Sequence, residues 1–105
     1  MREERIAKLK SLLEADPNDS FGRYALALEY AALNDTAQAQ SLLEELLKHH
    51  PAYLPAYQQL GYLHQKLGQR DDAISMFKRG IEVATQQGDL HAKSEMQEAL
   101  DELMN

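Results

Sequence analysis

Four histidines, two adjacent carboxylate pairs and no cysteine set the chemistry open to this chain. Histidine beside Glu or Asp at ligand spacing can hold zinc or move a proton. His49 and His50 are neighbours, however, and helical neighbours point about 100° apart, so they cannot easily chelate one ion. His64 and His91 stand far apart in sequence, and the pattern offers no Glu or Asp at ligand spacing beside either on an evident pocket face. Glu44-Glu45 and Asp71-Asp72 resemble acid–base dyads, but the same splay of about 100° separates each pair. The aspartates fit better as a helix start, where carboxylates meet the positive end of the helix dipole. Lack of cysteine removes disulfides, thiolate nucleophiles and Cys-based zinc sites. There is no glycine-rich phosphate loop, no Gly-x-Ser-x-Gly and no His-Glu-x-x-His. The expectation is a protein that is not an enzyme and uses no cofactor or metal.

The elements that carry these side chains read as helices. A 105-residue chain is one domain's worth, and 44% hydrophobic residues suffice for a core. Three prolines and five glycines permit long helices and disfavour many short strands. Residues 2–14 put Ile6, Leu9, Leu12 and Leu13 on one stripe. Pro17 ends that helix, and Asn18, Asp19 and Ser20 supply capping oxygens for a second over 20–33. A third covers 36–49 and stops at His50-Pro51, since proline disfavours a helical residue before it. The fourth spans 54–67 and ends at Gly68, suited to the left-handed turn after a helix. The fifth starts near Asp71, and Gly88-Asp89 separates it from a sixth that reaches Leu103.

Spacing then becomes informative. Pro17 and Pro51 lie 34 residues apart, as do Leu26 and Leu60, Leu33 and Leu67, Ala39 and Ala73, and Leu43 and Phe77. A fixed period of this size marks a stacked repeat. Aligned, 20–53 and 54–87 share four identities, and residue size also matches at Ala27 against Gly61 and Tyr30 against His64. Tyr57-x-x-Leu60-Gly61-x-x-His64, followed by Ala73-x-x-x-Phe77, resembles the tetratricopeptide repeat, with Tyr for its Trp and His for its Tyr. The first copy reads Arg23-x-x-Leu26-Ala27-x-x-Tyr30, Ala39-x-x-x-Leu43, then Pro51. Arg23 departs from the family's large aromatic, and Thr85 from its closing proline.

The resemblance implies an all-α, right-handed superhelical solenoid of helix pairs in a single domain, 1–105. Residues 1–17 become the second helix of a truncated repeat, with Leu9 matching Leu43 and Leu12 matching Leu46. Residues 20–53 and 54–87 are the full repeats. Ser94 and Glu95 fall where Leu60 and Gly61 stand, so 88–105 is expected as a capping helix, with an apolar stripe of Ala92, Met96, Ala99, Leu100 and Leu103. Gly61 and Ala73 are expected where the fourth and fifth helices approach, with Tyr57, Leu60 and Phe77 around them. Gly80, inside the fifth helix, costs about 1 kcal/mol relative to alanine. A close crossing with the capping helix would offset it.

In proteins of this family the first helix of each repeat lines a concave groove that receives a peptide or another protein's helix. Carried over by alignment, the groove residues are Tyr24, Leu28 and Ala31, paired with Gln58, Tyr62 and Gln65. Lys66 flanks the second triplet, and Ala92 and Met96 extend the wall. That surface is apolar and aromatic at one end, amide-rich and weakly basic at the other. Burial between helices competes for Leu28, Ala31 and the tyrosine rings, and plain solvent exposure for the glutamines. Family members that clamp acidic chaperone tails line this face with Lys, Arg and Asn. Tyr24, Leu28, Gln58 and Tyr62 stand here instead, which disfavours that partner.

The expected function is an adaptor that binds a protein or peptide. Its rival is a structural homodimer formed through the Tyr24/Leu28 end or the capping helix, and the truncated first repeat also fits a piece of a longer array. A net charge of −6 and a pI near 5.1 argue against nucleic acid. The imbalance is local: residues 88–105 hold one lysine against five acids. That tail reads first as a solvated helix face and second as a dock for a basic partner. The start alternates charge with Ile and Leu, unlike a signal peptide, and no run approaches the roughly 18 apolar residues of a membrane helix. A cytoplasmic protein with no membrane contact is the expectation.

Overall fold

Proline sets two of the helix ends. In the computed structural model, which describes residues 1–105, the residues before Pro17 and Pro51 are extended: Asp16 has φ −139° and ψ 85°, and His50 has φ −135° and ψ 74°. The helices between such breaks are α1 (Arg2–Ala15), α2 (Ser20–Ala32), α3 (Thr36–His49), α4 (Leu54–Lys66), α5 (Arg70–Gln87) and α6 (Leu90–Met104). All six fall within a residue or two of the expected spans, and there is no strand.

Three aspartates start helices by accepting an orphan backbone N–H. Asp19 accepts from Gly22 at 3.0 Å, Asp35 from Gln38 at 3.3 Å and Asp89 from Ala92 at 3.0 Å. Three left-handed residues stop helices: Asn34 (φ 60°), Gly68 (φ 75°) and Gly88 (φ 70°). Each makes a Schellman turn. The amides of Asp35, Gln69 and Asp89 reach back to the carbonyls of Tyr30, His64 and Ala84 at 2.9, 2.8 and 2.9 Å. Asn34 stands 34 residues before Gly68, so both copies use one turn chemistry with different residues.

The chain divides into two helical units, 1–51 and 52–105. In the first, α2 packs against both α1 and α3. Its buried residues include Ile6, Leu26, Ala27, Tyr30, Ala39, Leu43 and Leu46. Arg2 and Arg5 of α1 both donate to Glu29 near the end of α2, at 2.6 and 3.0 Å, which holds these helices antiparallel. Lys10 lies over the Tyr30 ring, 5.7 Å from its centre. Leu12 was expected on the α1 stripe but is half exposed. Ile6 is buried, Leu9 and Leu13 at i+3 and i+7 are half-buried, and Leu13 lies beside Gly22 of α2, whereas Leu12 stands one residue off that stripe.

In the second unit, α5 packs on α4 and α6. Gly61 faces the buried Phe77 so closely that a Cβ there would lie 2.5 Å from Phe77 Cζ. Gly80 faces α6, where a Cβ would meet Met96 Sδ at 2.5 Å, and also Tyr57 Cβ at 2.9 Å. The glycine inside α5 is therefore the notch that admits α6, as its position suggested. Arg70 Nε donates to the Leu103 carbonyl at 3.0 Å, and Gln87 Nε2 to the Ala52 carbonyl at 2.7 Å. Both bonds tie the far ends of antiparallel neighbours.

Candidate protein-docking faces

Two of the histidines each meet a single carboxylate. His49 lies 2.9 Å from Glu45, and His91 lies 2.6 Å from Glu95, each across one helical turn. This corrects the expectation that no acid stands at ligand spacing from His91: Glu95 follows it by four residues, a spacing visible in the sequence. The hydrogen bond from His49 holds the Glu45 carboxyl below the usual glutamate range against some desolvation, and the charges of His49, Lys48 and Arg23 add to it. His64 bonds through Nδ1 to Gln69 Oε1 at 2.7 Å, at the end of α4. No three His, Cys, Asp or Glu side chains converge on one point. Asp71 and Asp72 occupy the first turn of α5, as expected for a helix start.

On α2, the helix periodicity separates Leu26, Ala27 and Tyr30, which are buried, from Tyr24, Leu28 and Ala31. Leu28 is exposed, whereas Tyr24 and Ala31 are half-buried. The stripe continues to Phe21, the most exposed aromatic side chain of the chain at 71%. Sequence alignment passed over Phe21, although it sits three residues before Tyr24 and seven before Leu28.

On α4, Tyr57, Leu60 and Gly61 are buried, and Gln58, Tyr62, Gln65 and Lys66 form the other side. Gln58 is half-buried, and the remaining three are exposed. The Tyr62 ring stands edge-on to Phe77, centres 5.5 Å apart at 67°, and its hydroxyl accepts from Gln58 Nε2 at 3.2 Å. Its orientation is thus fixed from both ends. Opposite, α6 places Glu95, Glu98, Ala99 and Glu102 along a cleft shared with Tyr62 and Gln65. The expected weakly basic end is therefore walled by carboxylates, with Lys66 outside the cleft lining.

Met96 does not belong to this surface. It is fully buried and fills the Gly80 notch. Alignment equated Met96 with Tyr62, but α6 carries Ser94 and Glu95 where α4 has Leu60 and Gly61. With polar residues at those positions, α6 turns Met96 and Leu100 inward instead. Ala92, also expected on the wall, is half-buried and lies near Gln58 in a second shallow cleft.

Short antiparallel helix pairs, a period of 34 and small residues at the crossings define an all-α helix-pair repeat protein. Residues 30–100 match the family model of the tetratricopeptide repeat. A tetratricopeptide repeat domain protein from Salinibacter ruber, solved by NMR, is 41% identical and superposes with a TM-score of 0.80, over 84% of this chain and 89% of that one. A protein from Bordetella parapertussis is 26% identical, with a TM-score of 0.83 over 94% and 86%. The crystal structure of the MamA protein shares the fold at 21% identity, with a TM-score of 0.76 over 99% of this chain and 59% of that one. The chain belongs to the tetratricopeptide-repeat family. Domains of this family generally bind proteins or peptides and act as scaffolds rather than enzymes. No helix is long and apolar enough to cross a membrane.

Proposed function

We propose that this chain is a non-enzymatic adaptor that binds a peptide or protein segment through the exposed faces of its repeats' first helices, α2 in one unit and α4 in the other. In this reading 20–53 and 54–87 are the full repeats, 1–17 is the second helix of a truncated one, and 88–105 is the cap. The observation that supports it is large apolar side chains at the surface on these helices: Phe21 at 71%, Leu28 at 38% and Tyr62 at 40% exposed. Binding energy at interfaces concentrates in such aromatic anchors. The contact set is Tyr24, Leu28 and Ala31 on α2, with Phe21 added, and Gln58, Tyr62, Gln65 and Lys66 on α4. Met96 leaves it, having no surface to offer. A net charge of −6 speaks for a protein partner over a nucleic acid.

The test compares capture of native partners by the wild type and by Tyr24→Ala/Tyr62→Ala, with circular dichroism confirming that the variant stays helical. The variant is expected to lose its partners. A folded variant that retains the same ones refutes the assignment. Self-association draws on the same α2 stripe. Light scattering over a concentration series distinguishes it, because an adaptor keeps the mass of one chain and a dimer does not.

A further inference from the structure

We infer that the cleft between α4 and α6 seats a lysine or arginine side chain of a basic peptide segment. The inference deepens the docking reading of α4 and rests on it. The cleft is an open depression of about 260 Å³ between Tyr62 and Gln65 on one side and Glu95, Glu98, Ala99 and Glu102 on the other. The three glutamates are spaced i, i+3 and i+7, so they form one stripe along α6. No lysine or arginine lines the cleft. Glu95 is engaged by His91 at 2.6 Å and by the Gln58 amide at 3.4 Å. Glu98 and Glu102 have no ion pair or hydrogen bond within the chain. Two carboxylates with no close partner therefore line the same cleft as an exposed tyrosine ring whose orientation is fixed by Phe77 and Gln58, with Lys93 on the neighbouring side of α6.

That arrangement selects the occupant by its chemistry. An acidic segment or a nucleic acid is repelled by three like charges. A metal ion is poorly served, because the carboxylates are strung along a helix and do not converge. A long cationic side chain meets both halves of the site. Its methylene stem lies on the Tyr62 ring, and its charged head reaches Glu98 and Glu102. Gln65, at the rim, offers an amide to the segment's backbone. The charge pattern of the chain agrees, since five of its acids and one lysine fall in 88–105.

The test uses the full chain, ¹⁵N-labelled, titrated with two blocked ten-residue peptides. One alternates Leu with Lys and Arg, and the other carries Glu at every basic position. The basic peptide is expected to shift the amides of Tyr62, Gln65, Glu98, Ala99 and Glu102, and the acidic one to leave them unmoved. Glu98→Gln/Glu102→Gln is expected to weaken binding about fivefold at low salt, the size of two exposed charge pairs. Glu44→Gln/Glu45→Gln on α3 is expected to change nothing. Equal weakening by the two double variants, or shifts spread over the acids of α3 and α5, would show unspecific attraction and overturn the inference. Binding of the acidic peptide at Tyr62 would overturn the charge assignment while leaving α4 a docking face. No shift on α4 with either peptide also overturns it, and the tyrosine capture experiment then decides the docking reading separately.

Discussion

Gly61→Ala is predicted to destabilise the chain when Phe77 is present and to stabilise it when Phe77 is replaced by leucine. The new methyl would lie 2.5 Å from Phe77 Cζ and 2.8 Å from Cδ1. Phe77 is fully buried and braced edge-on against Tyr62, so the ring has nowhere to withdraw. Overpacking of this kind costs about 1–3 kcal/mol, and alanine returns about 1 kcal/mol of helix propensity. The net is a loss of about 1 kcal/mol. Shortening the ring with Phe77→Leu removes the clashing atoms, so there the same Gly61→Ala gains about 1 kcal/mol. The coupling between the two sites is then about 2 kcal/mol, well outside ordinary additivity. The chain already contains the exchanged pair: 34 residues earlier, Ala27 and Leu43 are both buried at the equivalent positions. Urea unfolding followed by circular dichroism at 222 nm, on the wild type, both single variants and the double, measures the cycle. If Gly61→Ala has the same sign and size in both backgrounds, the close-approach argument is wrong.

Three further outcomes are expected. Gly68→Ala and Gly88→Ala each cost about 1–2 kcal/mol, because both positions hold φ near +70° and neither meets a neighbour, so backbone strain alone is read by thermal melts. Asp89→Ala removes the cap on Ala92 N and lowers stability by about 1 kcal/mol, seen first as faster amide exchange in the first turn of α6. In His49→Ala, the Glu45 carboxyl rises toward its ordinary value, which a ¹³C titration of that side chain reads directly. The sign follows from a depressed folded value: the pair's contribution is present above the unfolded glutamate range and is lost as pH falls through the folded value. An unmoved Glu45 titration in that variant would contradict the pairing.

Much of the architecture was legible because it is written in local chemistry. Prolines 17 and 51, the capping aspartates and the left-handed glycines act within a turn of where they stand, and the 34-residue period joins them into copies. The α6 surface was harder to read. Its rotation depends on which side chain fills the Gly80 notch, and Ser94-Glu95 breaks the pattern that would carry the α4 register forward. Alignment therefore put Met96 outside when packing puts it inside. The same lost register hid the fact that Glu95, Glu98 and Glu102 face Tyr62, although their spacing was plain. Phe21 went unnoticed because a repeat pattern marks what is buried and is silent about what is left out.

The Met96–Gly80 contact has a consequence for redox damage. A thioether sealed at zero exposure is shielded from peroxide, whereas Met1 and Met104 stand open to solvent. Sulfur at position 96 can be oxidised only when α6 lifts away, so its rate of sulfoxide formation clocks that opening against the exposed methionines. Once formed, the polar sulfoxide no longer fits a notch too tight for one added methyl. Sulfoxide formation at Met96 is therefore expected to loosen the packing of α6 on α5 until the sulfoxide is reduced.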